Sequence, residues 1–225
     1  MLAITRLSFG MAFKVQPYFR YPSLDLSPPS IRLCRLLPGL PADRIKCELF
    51  ATSIAAASGT YAALSYTWGS TREARRWIHV DGIPFHAQPN LFDALKGLRN
   101  SENELVIWID AICIDQNNVP ERNYQVALMG DIFRNASVVR VWLGPGSDET
   151  DKVLDYVCSL VPGSLAVSAK TVFYSLCKHP YWNRAWIRQE LCLAKDIIVH
   201  CGTRSCDWAT FSSEALQAVG RIEGC

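Results

Sequence analysis

No apolar run in this 225-residue chain approaches the roughly 20 residues that a membrane-spanning helix needs. There is no low-complexity tract, no repeat of fixed period and no block of like charge. The net charge of +2 is too small for a nucleic-acid footprint, so neither a nucleic acid nor a bilayer is expected as a partner. Cys-x-x-Cys is also missing. The nine cysteines are odd in number and scattered, and the nearest pair, Cys201 and Cys206 beside His200, lacks a second close-spaced ligand pair. Reduced thiols, no structural disulfide, no bound metal and a cytoplasmic location follow as expectations. The first 24 residues contain no acid and carry Arg6, Lys14 and Arg20. Residues 1–29, which end in Pro28-Pro29, read as a disordered tail.

What the chain has is apolar mass. Hydrophobic residues make up 49%, and seven Trp, eight Tyr and nine Phe supply a large core. That suits one globular domain over residues 30–225. Ile31–Leu36 and Ile45–Leu49 read as a leading antiparallel pair. Tyr61–Thr67 is an apolar run stopped by Gly69. Trp77–Val80, Asp81-Gly82 and Ile83–Phe85 form a hairpin signal, with Asp-Gly supplying positive φ at the turn. Asn90 is placed to cap a helix over Leu91–Leu98. Leu105–Asp115 is almost continuously apolar, as a strand covered on both faces reads. Pro120-Glu121 opens the next helix, Val138–Leu143 is another buried strand, and Ile197–His200 follows two helical segments. A last helix runs over Trp208–Val219. Alternating strands and helices predict an α/β fold with a mainly parallel central sheet, helices on both faces, and an added N-terminal antiparallel hairpin. Ligands of such sheets sit at the carboxyl ends of strands, here Ser65–Trp68 and Asp115–Asn117.

The stretch Tyr181–Ala194 reads as one helix, since no Gly or Pro interrupts it. At 100° per residue Glu190 falls about 40° from Trp186, inside the apolar sector. A carboxylate there is costly unless paired, hydrogen-bonded or facing a cleft. Two readings stay open: a structural ion pair with an arginine from another element, or a site carboxylate walled by indoles.

Three blocks resemble the fungal heterokaryon incompatibility (HET) domain. They are Tyr61-Ala62-Ala63-Leu64-Ser65-Tyr66-Thr67-Trp68-Gly69; Trp108-Ile109-Asp110-Ala111-Ile112-Cys113-Ile114-Asp115-Gln116 with Glu121-Arg122; and Trp182-Asn183-Arg184-Ala185-Trp186-Ile187-Arg188-Gln189-Glu190. Thr67 and Asp115 depart from the usual Val and Asn. The resemblance implies a role in fungal non-self recognition, in which the domain triggers programmed cell death, acting with other incompatibility or signalling proteins and by self-association. HET domains in turn are similar to the Toll/interleukin-receptor (TIR) fold, a flavodoxin-like three-layer arrangement. There a Glu on the helix after the third parallel strand cleaves NAD in the catalytic members. The resemblance therefore implies NAD as substrate rather than cofactor, no cofactor, and Glu190 as the catalytic residue.

On that reading Tyr66, Trp68, Asp115, Gln116 and Trp186 join Glu190 in one substrate cleft, with Arg72, Arg75 or Arg122 available to a pyrophosphate. A metal hydrolase built on Asp110 and Asp115 is disfavoured, because their odd spacing in a strand points them to opposite faces. The competing reading is a non-catalytic domain that signals by assembly alone.

Overall fold

The computed structural model describes residues 19–25, 27–69, 74–158 and 167–222. Within them nine strands join in one sheet: β1 (Ser30–Leu36), β2 (Lys46–Ser53), β3 (Ala62–Tyr66), β4 (Arg76–Val80), β5 (Ile83–Ala87), β6 (Leu105–Trp108), β7 (Val138–Trp142), β8 (Ile197–Cys201) and β9 (Arg204–Asp207). The helices are α1 (Ile54–Ala57), α2 (Pro89–Leu98), α3 (Asp110–Cys113), α4 (Val119–Ala127), α5 (Met129–Asn135), α6 (Asp148–Cys158), α7 (Val167–Cys177), α8 (Ile187–Cys192) and α9 (Trp208–Ile222), with a 3₁₀ turn over Pro180–Asn183.

The strand order is β5-β4-β2-β1-β6-β3-β7-β8-β9. The sheet is mixed, which corrects the expectation of a mainly parallel one. β3 runs parallel to β6 and β7, β7 to β8, and β2 to β4. β1 is antiparallel to both its neighbours, and so are the pairs β4/β5 and β8/β9. The reason for the miss is physical. An apolar run reports burial on both faces, which β1 has, and burial carries no information on direction. β9 follows a turn at Gly202, whose φ is 60°, and so short a link permits only an antiparallel return. The leading pair forms as expected, with Ser30 opposite Ser53 and Leu36 opposite Cys47. The Asp81-Gly82 turn has φ of 51° and 74° at its two residues, the conformation that joins β4 to β5 in a tight hairpin.

Register places helices on both faces. Ala62, Leu64 and Tyr66 of β3 lie opposite Val138, Arg140 and Trp142 of β7, so these six share one face. There the Trp142 indole packs against α2. Its Nε1 donates to Asn90 Oδ1 at 3.0 Å, and a Cβ on Gly97 would fall 2.7 Å from the ring, which is why glycine occupies a helix interior. Asn90 therefore does not cap its helix as expected. Gln88 holds the N-cap position, and the Asn90 amide also donates to Thr67 O at 2.6 Å, tying the end of β3 to α2. On the other face Trp108 meets Phe133 of α5 edge to face at 5.7 Å, and Ser65 meets Tyr181 and Glu190.

One more expectation is corrected. The run Leu105–Asp115 is not one strand: β6 stops at Trp108, and Asp110–Cys113 turns helically, with Cys113 N–H donating to Ile109 O at 2.7 Å. A short apolar run reads alike in strand and buried helix. Residues 19–25, within the expected tail, lie against the fold: Pro22 O accepts from Arg32 Nε at 2.6 Å, and the Tyr21 ring lies under the Arg32 guanidinium. Residues 1–18 and 26 of the expected tail are outside the described residues.

His200 of β8 sits beside Arg140, with 3.1 Å between Nε2 and Nη1. Burial, and then the Arg140 charge, push its imidazole down to about 3 from an ordinary 6.5. Between those values the folded protein binds fewer protons than the unfolded chain, so stability rises with pH through that window and is lost as pH falls. Urea unfolding at pH 7.5 and pH 4 should show an acid loss larger in the wild type than in His200→Gln, by on the order of 3 kcal/mol. Equal losses in the two proteins would contradict a neutral, buried His200.

Candidate active site

The chain between α7 and β8 builds the centre of the site. Tyr181–Ala194 is not a single helix. A 3₁₀ turn ends at Asn183, Arg184 is extended (φ −72°, ψ 136°), and α8 begins after Trp186. No Gly or Pro forces this break. Tertiary structure does: in an unbroken helix Arg184 and Glu190 would stand about 120° apart around the axis and more than a turn apart along it, and could not form a forked pair. With the chain extended at Arg184 they form a forked pair, Nη1 to Oε2 at 3.0 Å and Nη2 to Oε1 at 2.9 Å. The arginine thus comes from the same stretch as the glutamate, where a different element was expected.

Glu190 is 2% exposed. Ser65, near the carboxyl end of β3, donates its single hydroxyl proton to Glu190 Oε2. The Ser65 oxygen must then accept from its other neighbours, Tyr181 OH at 2.5 Å and Arg184 Nη1 at 3.3 Å. Burial pushes the Tyr181 phenol up, which keeps it a neutral donor. The Arg184 guanidinium also lies over the Tyr181 ring at 5.4 Å. The result is a closed network in which every partner is satisfied.

A cleft of about 700 Å³ opens above this network. Of the residues expected to form the site, it brings together Glu190, Trp186, Trp68, Gln116 and Arg122. The indoles of Trp68 and Trp186 are 46% and 48% exposed, unusual for the largest apolar side chain. Trp182, four residues before Trp186, belongs instead to the core: its indole stacks on Phe211 and donates to Leu176 O at 2.8 Å. Arg122 approaches Gln116 O at 3.4 Å.

Two expected residues lie elsewhere. Tyr66 points to the face opposite Ser65, since consecutive strand residues alternate, and lines a neighbouring cavity. Burial pushes its hydroxyl well up, and the hydroxyl hydrogen-bonds to Asp110. Asp115 does not line the cleft. Its Oδ1 accepts from Asn117 N–H at 3.0 Å, and its own N–H donates to Glu121 Oε1 at 2.9 Å, so it shapes the turn into α4. Arg72 lies outside the described residues, and Arg75 lines the neighbouring cavity.

The residue that sequence reasoning undervalued is Asp110. At the first turn of α3 it lines the cleft with Glu190. Its Oδ2 accepts from Trp68 Nε1 at 2.8 Å and its Oδ1 from Ala111 N–H at 2.7 Å. Burial raises its pKa; these bonds and that from Tyr66 pull it back, and the nearby Glu190 charge adds a further rise. Unlike Glu190, Asp110 makes no ion pair among the described residues. A lone acid in an otherwise apolar run was the available signal. Assigning that run to a strand hid it.

No group of three or more His, Cys, Asp or Glu side chains with the arrangement of a metal site occurs among the described residues, and no described helix is long and apolar enough to cross a membrane.

Fold and site define an α/β domain with a strand-end cleft that holds two carboxylates between exposed indoles. The family described as "Heterokaryon incompatibility protein (HET)" matches residues 61–190, more than half of the chain and all three motif blocks up to Glu190. This chain belongs to that family. It is 31% identical over 241 aligned positions to heterokaryon incompatibility protein 6, OR allele, of Neurospora crassa, a match that covers 82% of this chain. The chain spans 35% of that relative's length. No solved structure matches it.

Proposed function

We propose that this domain acts in fungal non-self recognition, in the cytoplasm, by cleaving the nicotinamide–ribose bond of NAD in the cleft beside Glu190. Family membership supports the biological role. The observation that carries the chemistry is the pairing of Asp110 and Glu190 in a cleft flanked by two exposed indoles. The Trp186-to-Glu190 spacing after β7, the third strand of the alternating series, supports the TIR-like analogy. In the reaction, water adds to the ribose C1′ as the bond to nicotinamide breaks, giving ADP-ribose, nicotinamide and a proton. The transition state is oxocarbenium-like, and carboxylates facing it stabilise the developing positive charge. Trp68 and Trp186 offer ring faces to nicotinamide, and Arg122 at the rim offers a pyrophosphate contact. Arg184 and Ser65 hold Glu190 in one orientation, and Asp110 supplies a carboxylate that makes no ion pair among the described residues.

A second reading, a domain that kills by assembling with itself or with other incompatibility or signalling proteins, is favoured by one observation. Both Glu190 oxygens are already occupied, as in a purely structural pair. Incubating the purified protein at high concentration with NAD separates the two. Cleavage predicts equimolar nicotinamide and ADP-ribose by chromatography, whereas NAD left intact by an assembled, toxic protein would give the assembly reading the field.

A further inference from the structure

Across the Trp68 indole from the first cleft lies a second cavity, of about 790 Å³. Trp68 and Gln116 are the residues that line both. The rings of Phe19, Tyr21, Trp77, Phe85 and His86 form much of its wall. Trp77 and His86 are cross-strand neighbours in the β4–β5 hairpin, and their rings lie against each other tilted by 42°, with centroids 3.6 Å apart. Trp77 is nonetheless 56% exposed, so His86 backs its indole without covering it. A hairpin surface leaves such a ring in water only at a cost in apolar exposure.

The polar lining is selective. Arg75 is exposed, faces this cavity, and makes no ion pair among the described residues. No described Asp or Glu lines the cavity. The remaining polar groups are mainly the amides of Gln88, Gln116 and Asn117, and Gln88 Oε1 has no hydrogen-bond partner among the described residues. Aromatic walls, amides that can both donate and accept and, among the described residues, one guanidinium without an ion pair and no carboxylate suit a planar heteroaromatic anion. A lipid tail would not use the amides, and a cationic ligand would meet Arg75.

We propose that this cavity binds a purine nucleoside phosphate, with the base stacked on Trp77, its edge read by the amides, and the phosphate held by Arg75. The site adjoins the cleft of Glu190, sharing Trp68 and Gln116 with it, and stands whether or not NAD is cleaved there.

Calorimetric titration of the full chain tests it, with AMP, adenosine and inorganic phosphate as separate probes. AMP should bind more tightly than adenosine, and inorganic phosphate alone should bind least. Trp77→Ala should weaken AMP by at least about tenfold, the usual effect of losing one base–aromatic stack. Trp77→Phe, which keeps a ring, should stay within a few-fold of the wild type. Arg75→Ala should bring AMP down to the level of adenosine. Both positions are exposed, so the variants should fold, and melting curves verify it. AMP binding no tighter than inorganic phosphate, or undiminished in folded Trp77→Ala, overturns the proposal. Because AMP carries no scissile nicotinamide bond, these results are independent of whether NAD is consumed.

Discussion

Replacing Arg184 with methionine should lower the unfolding free energy by about 3–5 kcal/mol, the cost of breaking a buried ion pair from one side. Methionine keeps the apolar stem but deletes both N–H contacts to Glu190 and the one to Ser65. Glu190 is almost wholly shielded from water, so solvent cannot take the place of the guanidinium. Arg184→Lys should lose less, because an ammonium supplies the charge but not the fork. The double variant Arg184→Met/Glu190→Leu should be markedly more stable than the sum of its parts predicts, since removing both charges removes the unmet desolvation along with the attraction. Urea unfolding of the four proteins measures the coupling. A single Arg184→Met variant within about 1 kcal/mol of the wild type would mean that Glu190 finds another partner, and the closed network described above would be wrong.

An element of this chain is legible in its residues when a short-range interaction decides it. The Asp81-Gly82 turn was legible because its conformation is set by two adjacent residues. The apolar runs of β3, β7 and β8 were legible because burial on both faces leaves a local trace in composition. Strand direction was not, because it is fixed by how far the connection must travel, and β1, antiparallel to both its neighbours, carries the same apolar signature as the parallel strand β3. The break at Arg184 was hidden for a related reason. No Gly or Pro interrupts Tyr181–Ala194, and the need of a buried carboxylate for its counter-charge overrides the helical pattern there. Glu190 nonetheless falls on the buried face that helical periodicity predicts, because the segment that carries it, α8, is helical. Tyr66 failed as a neighbour of Glu190 on the simplest rule of strands: Ser65, one residue earlier, takes the face toward Glu190, and Tyr66 takes the other.

Glu190→Gln should reduce NAD consumption by about 10²–10³-fold, the effect of removing one preorganised group that stabilises transition-state charge. Expressed in fungal cells as a clustered protein, the variant should lose toxicity with it. The substitution preserves volume and one acceptor oxygen, but sets an amide NH₂ where the carboxylate accepts a second bond, against either Arg184 or Ser65. Some loss of stability is therefore built into the test, and activity must be compared at a temperature where circular dichroism shows the variant fully folded. Arg184→Met provides the contrast. If inactivity merely follows unfolding, cooling should restore both variants in proportion to their folded fractions. If Glu190 faces the reacting ribose, the folded glutamine variant stays inactive on cooling. In wild-type cells NAD should fall before viability does, since consumption is then the cause of death. A fully folded Glu190→Gln protein that consumes NAD within about tenfold of the wild-type rate would remove Glu190 from the chemistry and leave Asp110 as the cleft carboxylate to examine, because a tenfold change is only about 1.4 kcal/mol of barrier. A folded variant that still kills while NAD stays level would show that assembly alone delivers the signal and that the Arg184–Glu190 pair serves the fold.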